Sequence, residues 1–183
     1  MLNSKTVIAG GSSKNYCRVY ESSEVRGVTG DAIRPGGFLL TERALAFCAF
    51  ATGAKVLDVG CGSGATVEHM ILNYNLDAVG VDPSPSLLAQ GRHRRPGLPL
   101  TEAPGEQRPF ADCVMDGVFA ECALSVMAEP DRALAEMHRV LKAGGLLVIS
   151  DVYARNPAGV YNLRRLPLAV CLAGAMTRHD LAA

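Results

Sequence analysis

The stretch DVGCGSGATV at residues 58–67 places a carboxylate and three glycines between an apolar run and a helix-like segment. A glycine turn that joins a strand to a helix exposes backbone N–H groups and the positive end of the helix dipole. Missing side chains let a ligand touch the main chain there. The string GCGSGA also satisfies the dinucleotide fingerprint G-x-G-x-x-A, with Asp82 about 20 residues further on. The glycines alone therefore leave two ligand classes open.

Asp58 distinguishes between the two ligand classes. It lies two positions before Gly60, where a dinucleotide would bring its pyrophosphate, and a carboxylate would repel that group. A carboxylate suits a cationic amine instead. Asp82 closes the next apolar run, VGVD, where it is placed to accept hydrogen bonds from paired ribose hydroxyls. A helix N-terminal acid is the alternative role for Asp82.

Short apolar runs alternate with helical patterns, which indicates an α/β fold with a parallel sheet covered by helices. The predicted strands are 54–60, 77–82, 98–103, 113–122 and 146–153. Apolar residues at helical spacing predict helices over 65–74, 85–94 and 131–145. Right-handed crossovers place these helices on both faces of the sheet.

Before the first strand, residues 34–51 predict an amphipathic helix led by Pro-Gly-Gly. We expect its apolar side chains to pack on the sheet: Leu39, Leu40, Ala44, Leu45 and Phe47. Residues 1–33 are polar and weakly patterned, which predicts a mobile arm that orders over a ligand. Arg34, at the junction, either steers an anionic substrate or pairs with Asp31.

Composition narrows the function classes. The chain has 183 residues, 49% of them hydrophobic, which predicts one domain. Eighteen basic residues balance eighteen acidic ones, so we expect no nucleic-acid partner and no membrane partner. The start lacks a secretory signal, which predicts a cytoplasmic protein. Six cysteines without a CxxC pair predict no metal site.

Four blocks in order, DVGCGSG, VDPS, RPF followed by MD, and RVLKAGG, resemble the class I S-adenosylmethionine-dependent methyltransferases of the small-molecule type. The resemblance covers about residues 34–155. It implies a doubly wound, Rossmann-like, mainly parallel sheet in the order 3-2-1-4-5. It also implies an enzyme that transfers a methyl group from S-adenosylmethionine to a small-molecule acceptor, which the residues do not identify.

By this resemblance, Asp58 and the backbone around Gly60 and Gly62 hold the methionine part of the cofactor. Asp82 and the adjoining Pro83 hold the ribose. Gly64 mainly lets helix and strand approach each other.

Adenine recognition departs from the family pattern, because Pro104 occupies the position where the family has an acid. The expected adenine contacts are the main chain of Gly105 and Glu106, or Glu102. Glu121 closes the fourth strand at the switch point between the first and fourth strands, so it faces the crevice and touches cofactor or substrate.

No residue is assigned as catalytic. Methyl transfer is an in-line displacement in which positioning supplies most of the acceleration. If the acceptor needs a base, Glu121, Asp31 and Tyr16 are candidates. Cys122 and Cys171 leave thiol or metalloid chemistry as a secondary alternative.

Two other functions stay open: an NAD(P)-dependent oxidoreductase, and a cofactor-binding module without chemistry of its own. Calorimetry with S-adenosylhomocysteine and NADH would separate the first from the methyltransferase.

The predicted organisation is an arm over 1–33, the methyltransferase domain over 34–155 and a helical cap over 156–183. The family's last two strands are missing from the pattern, which predicts a truncated chain with an uncovered edge at the fifth strand. Thr177 and Asp180 have the spacing of a helix capping box. An open edge favours pairing between chains, so association through 146–183 into a homodimer is expected.

Overall fold

The computed structural model describes residues 19–22, 27, 30, 32–34, 36–106, 109–163 and 170–179. Helices and strands alternate over most of this range. The helices are α1 (Leu39–Cys48), α2 (Ala65–Tyr74), α3 (Pro85–Arg94), α4 (Pro130–Val140) and α5 (Pro157–Leu163), with a short 3₁₀ helix at Leu124–Val126. The strands are β1 (Lys55–Val59), β2 (Asp77–Asp82), β3 (Leu100–Glu102), β4 (Met115–Glu121), β5 (Leu141–Ser150), β6 (Tyr153–Ala154) and β7 (Met176–Thr177).

Five strands form one parallel sheet in the order β3-β2-β1-β4-β5. This confirms the predicted α/β class and strand order. The central strands β1 and β4 are buried on both faces, as parallel strands between two helical layers must be. Their carboxyl ends, at Val59 and Glu121, lie beside each other at the centre of one edge.

A separate apolar core fills each face of the sheet. On one face Val56 and Phe119 pack with Leu45 of α1 and Met70 of α2. On the other, Leu57 and the rest of its cluster pack against α4. Alternate side chains of a strand point to opposite faces, so one short strand such as β1 serves both cores.

The predicted apolar face of α1 is wrong. Leu45 is buried, but Leu39, Leu40 and Phe47 are 64%, 50% and 89% exposed. The helix instead turns Thr41 inward, where its hydroxyl donates to the buried carboxylate of Glu121. A buried carboxylate needs hydrogen-bond donors, and this requirement sets the rotation of α1.

The end of the chain also differs from the sequence prediction. The helix that was expected over 131–145 ends at Val140, and β5 begins at Leu141. Thr177 is not a helix cap: it lies in β7, which pairs with β6 outside the main sheet. Its expected capping partner Asp180 lies outside the described residues, and the predicted division at residues 33 and 155 stays a prediction.

Within the described ranges, β5 is an edge strand of the main sheet. Leu146, Leu147 and Ile149 of β5 are 38%, 39% and 40% exposed. The partial exposure on both faces agrees with the expected uncovered edge.

Gly91 is the point where α3 meets the glycine turn after β1, and we predict that alanine there destabilises the protein. A Cβ on Gly91 would lie 2.2 Å from the carbonyl oxygen of Ser63. Overpacking of this kind costs about 1–3 kcal/mol, whereas alanine in an unhindered helix gains up to about 1 kcal/mol over glycine. Urea unfolding measures the change in the free energy of unfolding.

Gly159 in α5 is the matched control, because a Cβ there would meet no heavy atom of another described element within 4 Å. Gly159→Ala should raise the stability slightly. Equal effects of Gly91→Ala and Gly159→Ala would show that the contact with Ser63 does not constrain the turn.

Candidate functional site

A cleft opens at the carboxyl ends of β1, β2 and β4, at the switch point of the strand order. It encloses about 1050 Å³, including its open mouth. All the residues predicted to bind cofactor line it: Asp58, Gly60, Gly62, Asp82, Pro83, Gly105, Glu106 and Glu121. The fold thus brings together side chains that the sequence separates by up to 63 positions, from Asp58 to Glu121.

The glycine turn takes a conformation that side chains rarely adopt. Gly60 and Gly62 have φ angles of +75° and +55°. A Cβ on Gly60 would also lie 2.6 Å from the Cβ of Ala123. The N–H groups of Gly60 and Cys61 both donate to the carbonyl of Val81, at 2.8 and 3.0 Å. These bonds fix the turn against the end of β2 and leave its outer side open to the cleft.

Gly64 performs the packing role that was predicted. Its φ is +73°, and a Cβ there would lie 2.8 Å from the side chain of Leu98 and 2.7 Å from that of Leu100. The close approach therefore joins the start of α2 to β3.

Asp82 holds the glycine turn in place. Its two carboxylate oxygens accept from the N–H of Gly62 at 2.9 Å and from that of Ser84 at 2.8 Å. Burial raises the pKa of Asp82, and these two bonds partly oppose the rise. Ser84, not Asp82, is the N-cap of α3, since its hydroxyl accepts from Leu87 N–H. Each Asp82 oxygen keeps a further lone pair for a ligand hydroxyl.

Asp58 is the carboxylic acid of the cleft with the fewest hydrogen-bond partners. It is 3% exposed and lines the cleft, and within the part of the chain that the structure describes no hydrogen bond to its carboxylate contributes to its pKa. Burial, with the nearby Glu121 carboxylate, raises the pKa of Asp58 to about 8, although Arg34 opposes the rise. A ligand cation would supply the missing partner.

Glu121, in contrast, is fully engaged. Its carboxylate forms a 2.9 Å ion pair with Arg34 and accepts from the hydroxyls of Thr41 at 2.8 Å and Thr66 at 3.2 Å. Arg34 also donates to the carbonyl of Gly37 at 3.0 Å. Arg34 therefore pairs with Glu121, while Asp31, the partner suggested by the sequence, lies outside the described residues.

Sequence reasoning missed this network. Arg34 and Glu121 are 87 positions apart, and no periodicity connects them. Thr41 and Thr66 carry no motif either. The one available signal is Thr41 itself, a polar residue that interrupts the apolar side of a helix.

Apart from its carboxylic acids and Arg34, the cleft lining is mostly apolar, with Tyr20, Ile33, Cys122 and Val126 among its residues. Tyr20 accepts a hydrogen bond from the N–H of Cys171 at 2.8 Å, so its hydroxyl is held from outside the cleft.

Met127 covers Gly105 so closely that a Cβ there would lie 2.7 Å from the methionine methyl carbon. Pro104 and Glu106 line the cleft beside it, whereas Glu102 does not. Tyr16, suggested as a base, lies outside the described residues. No cluster of three metal-ligating side chains occurs within those residues.

The charges of the cleft favour a cation. Four of its lining side chains are carboxylic acids, Asp58, Asp82, Glu106 and Glu121, and one is basic, Arg34. Arg34 offsets the charge of Glu121, so the other three acids set the sign of the field, and Asp58 adds its charge when it ionises. A concave surface with an excess of carboxylates attracts positive ligands and repels anionic ones. The pyrophosphate of a dinucleotide would therefore meet an unfavourable field.

Residues 57–149 match the family model described as a methyltransferase domain. The chain is 39% identical over 99 residues to a demethylmenaquinone methyltransferase of Renibacterium salmoninarum, covering 54% of this chain and 41% of that protein. It is 32% identical over 112 residues to a phosphatidylethanolamine N-methyltransferase of Cereibacter sphaeroides, covering 58% and 54%. The chain spans about half the length of the curated relatives it matches.

Solved structures share the fold. A methyltransferase of Haloferax volcanii, in complex with its activator Trm112, superposes with a TM-score of 0.73 at 20% identity, covering 93% of this chain and 72% of that chain. A Haemonchus contortus phosphoethanolamine N-methyltransferase with bound S-adenosylhomocysteine superposes with a TM-score of 0.72 at 17% identity, covering 93% and 43%.

The family match extends over half of the chain and includes the glycine turn, Asp58, Asp82 and Glu121. The strand order agrees with it. The chain therefore belongs to the methyltransferase-domain family and has the class I S-adenosylmethionine-dependent methyltransferase fold.

Proposed function

We propose that the cleft binds S-adenosylmethionine and that the protein transfers its methyl group to a small-molecule acceptor. The observation that carries this proposal is Asp58, a buried carboxylate without a hydrogen-bond donor among the described residues, beside a glycine turn. S-adenosylmethionine presents an ammonium group and a sulfonium against one carboxylate, so its net charge is positive. Both suit a cleft in which carboxylic acids outnumber the single guanidinium.

The proposed cofactor contacts follow from the position of each group. Asp58 holds the ammonium, and the backbone of Gly60 and Gly62 accommodates the methionine part. Asp82 and Pro83 meet the ribose at the end of β2. Gly105 and Glu106, under Met127, lie at the adenine end; Glu106 already accepts from Glu129 N–H at 3.3 Å.

Methyl transfer breaks the sulfonium carbon–sulfur bond as the acceptor attacks in line, so orientation supplies most of the catalysis. Glu121 is unsuited to act as a base, because both its oxygens are occupied by Arg34, Thr41 and Thr66. We assign it, with Arg34, to positioning the cleft wall. No catalytic residue is proposed.

The acceptor that the cleft supports best is lipophilic. Apart from the carboxylic acids and Arg34, most of the residues that line the cleft are apolar. Two relatives are named for demethylmenaquinone and for phosphatidylethanolamine, both of which carry long apolar chains. We propose that the acceptor belongs to this class of lipophilic small molecules.

We also propose a cytoplasmic location and no nucleic-acid partner. The basic cluster at 91–96 supports the second point, because its arginines are engaged within the chain. Arg94 and Arg95 pair with Glu68 at 2.9 and 3.7 Å, and Arg92 donates to the carbonyl of Leu100. Among the described helices, each is too short or too polar to cross a lipid bilayer.

Association into a homodimer remains a proposal. It is supported by the edge position of β5 and by its exposed leucines within the described residues. Sedimentation equilibrium tests it.

Two assays test the function. Calorimetric titration should detect S-adenosylhomocysteine and not NADH, because the acidic cleft opposes pyrophosphate. Turnover should then be measured with S-adenosylmethionine and a panel of quinol and aminophospholipid acceptors. Binding of NADH alone would favour the oxidoreductase, and cofactor binding without turnover on any acceptor would favour a binding module.

Asp82→Ala should weaken S-adenosylhomocysteine by about 1.5–3 kcal/mol, the range for a hydrogen bond to a charged group. The loss has two sources, the ribose contact and the bond that braces Gly62. Calorimetry measures it.

Asp82→Asn is the control, since its amide oxygen can still accept from one backbone N–H. The unfolding temperatures of both variants without ligand report the loss of the hydrogen bond from Gly62. The remaining change in affinity then reports the contact with the ligand. Unchanged affinity in Asp82→Ala would remove this residue from the site.

A further inference from the structure

The helix α1 presents an apolar face to the outside of the protein. We define the outer face of α1 as five exposed residues: Leu39, Leu40, Arg43, Ala46 and Phe47. At 3.6 residues per turn these positions fall on one side of the helix. Phe47, at 89% exposure, is the most exposed of the large hydrophobic side chains in the described residues. Contiguous exposed apolar side chains mark interaction sites.

The charge of this face is positive. Arg43 is its single charged residue. The neighbouring acid, Glu42, lies at the flank and is engaged with His69 and Tyr74 of α2. The outer face therefore combines apolar side chains with one cation and no free carboxylate.

The helix is held firmly, so this face has a fixed direction. Thr41 and Leu45 are buried beneath it, and Phe38, just before the helix, stacks on the His69 ring with centroids 4.4 Å apart. Ile33 and Arg34, six and five residues before the start of the helix, line the cleft. The helix that carries the outer face is thus bonded, through Thr41 on its buried side, to the cleft residue Glu121.

We propose that the outer face of α1 docks on the surface of an anionic phospholipid bilayer. This departs from the expectation of no membrane partner, which rested on the overall balance of charge and not on this local surface. The inference rests on the proposed function, because a lipophilic acceptor would reach the cleft from such a surface. Apolar side chains of an amphipathic helix enter the boundary between headgroups and acyl chains, and a basic residue pairs with anionic headgroups.

A second copy of this chain fits the face less well. In a two-fold symmetric pair the same patch meets itself, and the Arg43 side chains at its centre would approach each other. Docking on a surface needs no spanning helix, so it agrees with the short helices described above.

The sequence contains no tryptophan, so Phe47→Trp introduces a single fluorescent reporter on the outer face. With phosphatidylglycerol vesicles we expect a blue shift, and at least twofold quenching when the acyl chains are brominated. Leu172→Trp is the matched reporter outside α1, at a position that is 53% exposed, and it should show neither change.

Vesicle sedimentation then tests which residues of the outer face bind the bilayer. Phe47→Glu should lower binding to phosphatidylglycerol vesicles by about tenfold or more, whereas Phe47→Leu should retain it. Arg43→Gln should reduce binding to anionic vesicles and leave binding to neutral ones unchanged. These variants should bind S-adenosylhomocysteine like the wild type, which shows that they are folded.

Three results would overturn the proposal: no vesicle binding by the wild type, equal binding by wild type and Phe47→Glu, or a dimer in solution that Phe47→Glu dissociates. The last would assign the face to a second copy. Because S-adenosylhomocysteine affinity is measured separately, failure of the docking proposal is distinguishable from failure of the proposed function.

Discussion

Asp58→Asn is expected to lower the affinity for S-adenosylhomocysteine about 100-fold. The buried carboxylate would lose its charge-assisted contact with the ligand ammonium, and truncating one partner of a buried charge pair costs about 2–5 kcal/mol. Asparagine keeps the size of the side chain, so the change isolates the charge. Isothermal calorimetry at pH 8 measures the two affinities.

The same variant should be more stable than the wild type in the absence of ligand. The pKa of Asp58 is about 8 in the folded protein and about 3.9 when unfolded. Between these values the folded state binds the extra proton, so the stability of the wild type falls as pH rises from about 4 to about 8. Asparagine has no such loss, and urea unfolding at pH 5 and pH 8 should show a smaller decline.

Proton release provides the control for this interpretation. At pH 7 Asp58 is mostly protonated. The ligand amine is mostly charged, since the amine of a free amino acid is more basic than a chain terminus, whose pKa is about 7.7–8.0. Formation of the ion pair should therefore release close to one proton from the wild type and none from Asp58→Asn. Calorimetry in two buffers of different ionisation enthalpy gives this number, and equal release from both proteins would contradict the assignment.

Glu121→Ala should lower the free energy of unfolding by about 3–5 kcal/mol, because it leaves the Arg34 guanidinium buried without its carboxylate. The two side chains are 7% and 2% exposed, so water hydrates the unpaired guanidinium poorly. Thr41 and Thr66 also lose their acceptor. Urea unfolding at pH 7 measures the change.

The double variant Arg34→Met with Glu121→Leu tests whether the loss comes from the orphaned charge. Replacing a buried ion pair by apolar residues of similar size is often neutral or stabilising, so we expect it to recover most of the stability. If the double variant is as unstable as Glu121→Ala, the hydrogen bonds to the two threonines carry the effect. Arg34 would then need no charged partner, which contradicts the proposed role of the pair.

Much of the fold follows from local patterns. The strands β1 and β2 are short, mainly apolar runs with a distinctive end: the glycine turn follows Val59 of β1, and Asp82 closes β2 before the start of α3. Such runs predict buried parallel strands because both of their faces are covered. The cleft residues are predictable for the same reason, since the ends of parallel strands meet at one edge.

The tertiary structure decided the features that depend on contacts between residues far apart in the sequence. The rotation of α1 is set by Thr41 and the buried Glu121 carboxylate, 80 positions apart, so the apolar residues Leu39, Leu40 and Phe47 face outward against their pattern. The lack of a hydrogen-bond donor to Asp58 is likewise a property of the assembled cleft. The sequence by itself determined which residues reach the cleft, because they close parallel strands whose carboxyl ends meet at one edge, and the motif resemblance implied the strand order. Which of these residues are already paired is decided by long-range packing, because burial makes every charge depend on its neighbours in space.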